Sequence, residues 1–385
     1  MASNLKARLR RYRASGKTPC HSVVKNNLRI SSDSPWPGWE EAGFKTLKRT
    51  LKRDLPFSLP FSFPKALAIL VPDFARLGRI PSPGELLFFD LETTGLSGGA
   101  GTVAFLAAFG RFSPVVKASA NTPASNATAE LEITQYLLLD YPGENDFVES
   151  VVREFAASPA PIAVTYNGKC FDSQILKTRC LMNGIAPPVY FHADLLHPAR
   201  RLWKRLLPDC SQSTVEVSVL GLDRTGDVSG AMAPEIWFSF LRSGENGELL
   251  SVCDHNAKDV SGLASLFLSL ADIAAKPLES QFRFDEEALA LFWRIALKRT
   301  PLFFADDGSC AETGRTLLER AAGSGCQKAS YTLLRDLAID AEWRLRDPAL
   351  ALSYTESALA IPELPEGLMA ELEKRQKRLM DKSAQ

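Results

Sequence analysis

Asp90 and Glu92 stand at i and i+2 in ELLFFDLETTGL, an apolar run that ends in polar residues. Such a run reads as a buried strand, and a strand alternates its faces, so both carboxylates project to one side. Two like charges at the end of a buried strand repel each other and lose hydration; a divalent cation offsets both costs directly. A solvated strand end is the ordinary alternative, and the flanking Phe88 and Phe89 argue against it. Three further acids occupy comparable places. Asp172 follows the apolar PIAVTYNG and opens a helix, where Asp is also a common cap. Asp259 lies four residues after His255 in an otherwise apolar helix, so one turn puts both on one face. Asp194, in HADLL, marks another strand end and reads as a structural residue behind the site. Carboxylate oxygens of this kind suit Mg²⁺ or Mn²⁺, whereas Zn²⁺ favours His and Cys.

The elements that must position these residues follow from periodicity. GTVAFLAAFGRF, ITQYLLLDY, APIAVTYNG and PVYFHADLL read as further strands. GENDFVESVVREFAA, SQILKTRCLMNG and the long LLSVCDHNAKDVSGLASLFLSLADIA read as helices. The order β-β-β-α-β-α-β-α predicts an α/β domain, a mixed sheet with flanking helices, over 85–275. Residues 54–84 carry six prolines and read as a connecting segment with a short helix near 65–77. From 284 to 385 only helical patterns occur. Around Arg346-Asp347-Pro348 they have the helix, tight turn, helix, proline plan of a tetratricopeptide unit, with a generic helical bundle as the alternative.

The formal charge of zero, 45 Lys and Arg against 45 Asp and Glu, conceals an asymmetry. Residues 1–53 hold 13 Lys and Arg and three acids, a surplus of ten, and the remainder carries an equal deficit. A basic N-terminal arm can neutralise phosphates without reading sequence, and it can also be a plain solvated tail. No stretch of 18 apolar residues occurs, so no membrane partner is expected. Seven cysteines without a C-x-x-C pair argue against a zinc site or a disulfide framework and place the chain in the reducing cytoplasm.

Together D-x-E on the first strand, N-x-x-x-F-D after a later strand and H-x-x-x-D on the last helix follow the order of ribonuclease H-like exonucleases of the DEDD type. The stretches DLETTGLSGGAGT, VTYNGKCFD, HADLLHPARRLWK, GLDRTGDVSGAMAP and HNAKDV resemble the YprB-like branch, whose members often carry tetratricopeptide repeats. The resemblance implies a ribonuclease H-like fold followed by tetratricopeptide-like helices. It also implies 3′–5′ exonuclease action on DNA or RNA with two divalent ions, Mg²⁺ or Mn²⁺. On that pattern Asp90 bridges the ions, Glu92 and Asp259 complete the site of the ion carrying the attacking water, and Asp172 holds the other. His255 orients or deprotonates the water, although its gap to Asp259 is the one found in the tyrosine-using group. A non-catalytic adaptor on the same fold is the competing expectation, and the C-terminal helices are where a protein partner would bind.

Several neighbours are expected to meet nucleic acid. Thr93, Thr94 and Gly95 open a glycine-rich turn with Gly98, Gly99 and Gly101; it lacks the lysine of a Walker sequence, but its amides can approach phosphate. Tyr166, Asn167 and Lys169 are expected to line the groove. Arg200, Arg201 and Lys204 can track a backbone with Trp203 stacking on a base, or else they form the wet face of a helix that buries Trp203.

Overall fold

A computed structural model describes residues 36–95, 101–113, 128–158, 161–299, 308–323 and 327–383. Seven strands, β1 (Glu40–Gly43), β2 (Thr46–Ser58), β3 (Leu86–Thr93), β4 (Ala104–Phe112), β5 (Thr128–Leu138), β6 (Ile162–Thr165) and β7 (Phe191–Asp194), form one sheet. Their order is β1-β2-β5-β4-β3-β6-β7. The pairings from β1 to β3 are antiparallel, and β6 and β7 run parallel to β3. Ten helices are used below: α1 (Glu144–Ala156), α2 (Asp172–Met182), α3 (Leu196–Trp203), α4 (Ala233–Ser243), α5 (Gly247–Ala275), α6 (Glu286–Arg299), α7 (Gly308–Ala322), α8 (Gln327–Asp340), α9 (Pro348–Leu359) and α10 (Glu366–Ser383).

The apolar run of β3 makes it an inner strand covered on both faces. Phe88 turns towards α5, edge-on to Phe267 at 5.8 Å between ring centroids. Phe89 turns the other way, stacking on Phe109 at 5.0 Å and meeting Phe155 of α1 at 5.2 Å. The same alternation carries Asp90 and Glu92 onto the α5 side with Phe88. Helix α5 approaches the sheet closely over β4, where a Cβ on Gly110 would stand 2.7 Å from Val260.

The N-terminal boundary differs from the sequence reading. The basic arm was expected over 1–53 and the connector over 54–84, yet β1 (40–43) and β2 (46–58) lie there, β1 pairing with β2 and β2 with β5. Leu47, Leu51 and Leu55 recur every fourth residue, a spacing that fits a helix face as well as alternate inward positions of a strand. Doubled charges between them blur the period of two. Pro56 fits because the register with β5 breaks between Asp54 and Ser58, where no ladder hydrogen bond is lost. Residues 1–35, with eight of the 13 basic side chains, lie outside the described residues, as do Gly98 and Gly99.

Beyond α5 every described element is a helix. Leu289 and Trp293 of α6, Leu317 of α7 and Leu337 of α8 belong to the same apolar core as Phe267. The expected turn forms: Arg346 is left-handed at φ 56°, and the Asp347 carboxylate caps α9 through the Leu350 N–H at 2.9 Å. A further 18-residue helix, α10, follows the prolines and buries Leu372 and Leu379. Among the described residues no helix is long and apolar enough to cross a membrane.

Candidate active site

The acids meet where β3 ends beside α5 and the start of α2. Asp90 and Glu92 leave β3 with their side chains partly buried. Asp172 is the first residue of α2, 5% exposed, and accepts the Leu91 backbone N–H. Helix α5 contributes His255 and Asp259. Ligand atoms of Glu92, His255 and Asp259 lie within 4.8 Å of one another.

The charges are unbalanced. Burial pushes the Asp90 carboxyl well above its ordinary range, and repulsion from Asp172, Asp259 and Glu92 adds to it. Glu92 is raised by burial and then by Asp259 and Asp172. Asp172 is pushed up to about 7 by burial, with Asp194 adding repulsion. Desolvated, mutually repelling carboxylates of this kind are a fit for divalent cations, which cancel the repulsion and supply oxygen-preferring centres. Arg224 relieves only part of it, donating from Nη2 to Asp259 Oδ1 at 2.6 Å.

Arg224 belongs to the segment between Gly221 and α4, which meets α5 at His255, Lys258 and Asp259. Its guanidinium also binds the buried Glu216, through Nε at 2.7 Å, and Asp227 Oδ2 through Nη1 at 2.7 Å. Glu216 is wholly buried in a π-helical turn and is raised to about 7 by that burial. It fits because Gly262 faces it; a Cβ there would lie 1.7 Å from Glu216 Oε1. Burial alone would raise Asp227, but bonds from Arg224, His255 and Lys258 hold it down at about 2. An ionised Asp227 can only accept, so His255 Nδ1, 3.0 Å from Asp227 Oδ2, donates. That orientation leaves Nε2 facing the carboxylates, 3.3 Å from Asp259 Oδ2. Gly230 passes so near that a Cβ would stand 3.2 Å from Nε2.

The residues expected to meet nucleic acid divide. Thr93 Oγ1 donates to Gly95 O at 2.9 Å, and Thr94 Oγ1 accepts the Val103 N–H at 3.0 Å, so both hydroxyls hold the turn beside the site. Asn167 is left-handed at φ 66°, with its N–H on Asp194 Oδ1 at 2.9 Å. Asp194 also accepts the Lys169 and Leu196 N–H groups at 3.1 Å and is 3% exposed, so it braces the loop after β6. Lys169 is committed elsewhere: Nζ pairs with Asp73 at 2.6 Å. Tyr166 donates its hydroxyl to Cys210 O at 2.6 Å.

Trp203 is fully buried with Nε1 on Arg283 O at 2.8 Å, which rules out base stacking and favours the amphipathic alternative. Arg201 lies over the Phe292 ring at 4.0 Å, joining α3 to α6. Arg200 and Lys204 are exposed and, among the described residues, carry no ion pair.

Sequence reasoning missed Arg224, Asp227 and Glu216, and it missed Asn256, which donates from Nδ2 to Asp90 Oδ2 at 2.6 Å. Arg224 and Asp227 lie in the stretch GLDRTGDVSGAMAP, but no local period marks them as partners of a helix 30 residues on. Asn256 sits beside His255 in HNAKDV, where a polar residue on a largely apolar helix was the available signal.

A family model described as RNase_H superfamily matches residues 87–271. The YprB protein of Bacillus subtilis (strain 168) is 30% identical over 303 residues, which is 72% of this chain and 69% of that protein. Among solved structures, the family B DNA polymerase of the hyperthermophilic archaeon Pyrobaculum calidifontis matches at 13% identity with a TM-score of 0.35. That match spans 57% of this chain and 30% of the polymerase.

Proposed function

The chain belongs to the ribonuclease H superfamily as a relative of YprB, and from that membership and the site geometry we propose that it is a metal-dependent nuclease hydrolysing phosphodiester bonds of DNA or RNA. The observation that carries this reading is the convergence of Asp90, Glu92, Asp172 and Asp259 with His255, from three separate segments, at the end of an inner strand. The 3′–5′ exonuclease polarity rests on the resemblance of the D-x-E, N-x-x-x-F-D and H-x-x-x-D motifs to DEDD-type exonucleases.

Glu92 and Asp259 would hold one ion, Asp172 the other, and Asp90 would lie between them. Two divalent ions held there, Mg²⁺ or Mn²⁺, would supply the charge that stabilises the entering and leaving oxygens. The protein's own contribution is orientation. Asp227 fixes the His255 ring so that Nε2 can accept a proton from water at the cluster. Arg224 holds the Asp259 carboxylate in place. The turn at Thr93–Gly95 brings backbone close to the site, and the exposed Arg200 and Lys204 offer unpaired positive charge to a nucleic-acid backbone.

The test is degradation of 3′- and 5′-labelled single- and double-stranded DNA and RNA with Mg²⁺ or Mn²⁺, with the Asp90→Asn, Glu92→Gln double variant as control. Metal-dependent shortening from the 3′ end, absent in the variant, is expected. A protein that binds nucleic acid, binds no metal by calorimetry and cuts none of the substrates would instead be an adaptor on this fold.

A further inference from the structure

One row of residues crosses four strands of the sheet: Arg49 on β2 pairs with Gln135 on β5, Gln135 with Ala108 on β4, and Ala108 with Asp90 on β3. Ala108 is buried and too short to pass a hydrogen bond along that row. Asn256, reaching in from α5, bridges the gap. Resting on the nuclease reading, we infer that Arg49, Gln135 and Asn256 form a positioning relay that fixes the Asp90 carboxylate for metal binding and so makes the β1–β2 hairpin part of the active centre.

The polarity of the relay is determined at each step. A guanidinium only donates, so Arg49 Nε, 2.6 Å from Gln135, selects its Oε1. Gln135 Nε2 then faces inward and donates to the Cys253 carbonyl and to Asn256 Oδ1, both at 2.8 Å. With its oxygen engaged, Asn256 has only its amide N–H groups left for Asp90, and Nδ2 meets Oδ2 at 2.6 Å. Gln135 and Asn256 are both fully buried, so no water substitutes for either partner.

Arg49 is itself anchored. Its Nη2 lies 2.8 Å from Asp254 Oδ1, and its guanidinium stacks 4.8 Å from the Trp39 ring. The consequence for Asp90 is a donor on one oxygen and a locked rotamer, with Oδ1 left free of the relay for a metal. A donor behind a ligating carboxylate orients it and favours its ionised form. The row also explains why a side chain as small as alanine stands beside Asp90: a larger one at 108 would fill the space through which Asn256 reaches.

The test is titration of Mn²⁺ into the full chain by calorimetry, comparing wild type with Gln135→Glu and Asn256→Leu, alongside kcat and KM on a single-stranded oligonucleotide. In Gln135→Glu the acceptor for Arg49 survives, but the group facing Asn256 changes from donor to acceptor. The Asn256 amide must then turn over and present Oδ1 to Asp90. Asn256→Leu keeps the volume and removes the donor.

Mn²⁺ affinity is expected to fall about tenfold or more in both variants, with kcat reduced and KM unchanged, a split that a generally loosened fold would not give. Folded variants whose Mn²⁺ affinity stays within about twofold of wild type would overturn the relay. If that happens while wild type binds metal and cleaves, only the relay falls. A wild type that neither binds Mn²⁺ nor cleaves removes the nuclease reading and the relay with it.

Discussion

Asp172→Asn should make the metal-free protein more stable at pH 8. The folded-state pKa of Asp172 is raised to about 7 from an ordinary 3.8 by burial and by Asp194. A raised carboxylate pKa means that the folded state holds a proton which the unfolded chain releases, so stability falls as pH rises from about 4 to about 7 and stays low above that. At about 1.4 kcal/mol per pH unit, this separation is on the order of 4 kcal/mol. For a chain of this size, each kcal/mol moves Tm by roughly 2 °C. Asparagine mimics the protonated acid, so the variant is expected to melt on the order of 8 °C above wild type at pH 8, with a much smaller gap at pH 5. Taking the difference between the two proteins matters, because His192, lowered to about 4 by burial, and Glu216, raised to about 7, titrate near this window with opposite signs and cancel only in the comparison. The assay is thermal unfolding in EDTA across pH 5 to 8.5, repeated with Mn²⁺. At a hundred times its dissociation constant, Mn²⁺ should add about 2.7 kcal/mol to wild type and less to the variant, which lacks one ligand. Coincident melting of the two metal-free proteins at both pH values, or a less stable variant at pH 8, would refute the picture of an unbalanced carboxylate cluster awaiting cations.

Other perturbations separate neighbouring roles. Arg224→Met strips the cation from buried Glu216 and should cost roughly 3–5 kcal/mol, more at pH 8 than at pH 6, where Glu216 takes up a proton; denaturant melts at the two pH values check this. Gly230→Ala pushes a methyl against His255 Nε2 and should lower kcat while leaving Tm within a few degrees of wild type, as steady-state kinetics and melting will show. The Arg200→Ala, Lys204→Ala double variant should flatten the salt dependence of single-strand binding by about 1.4 in log–log slope. Lys169→Met, which removes the closer of the two cations beside Asp73, should leave that slope unchanged while lowering stability.

Much of the domain is legible because its strands and helices carry their own periods. ELLFFDLETTGL alternates its two phenylalanines to opposite faces and must therefore put Asp90 and Glu92 on one side. His255 and Asp259 share a face because a helix turn spaces them so. Other features are not written locally. TLKRTLKRDLPFS carries a four-residue recurrence compatible with either structure, and only pairing with β5 makes it a strand. Trp203 lies in a basic segment whose pattern allows it to stack on a base or to be buried, and packing against the Arg283 backbone decides for burial. Lys169 reads as a groove residue until Asp73, 96 positions away, appears beside its ammonium.

The sequence by itself determined the chemistry available: which carboxylates lie at strand ends and helix starts, which histidine shares a helix face with an aspartate, and how neutral composition divides into a basic segment and an acidic remainder. Those properties depend on residue type and on spacings of two to four, which backbone geometry converts directly into direction. Tertiary structure decided everything that depends on meeting across distance. It seated Arg224 between Glu216, Asp227 and Asp259, aimed His255 through Asp227, and aligned Arg49, Gln135 and Ala108 with Asp90 under Asn256. Hydrogen bonds and charge pairs are short-ranged, so whether a polar side chain supports the site, reaches a nucleic-acid backbone or braces a loop is decided by which neighbour the fold brings within 3 Å of it.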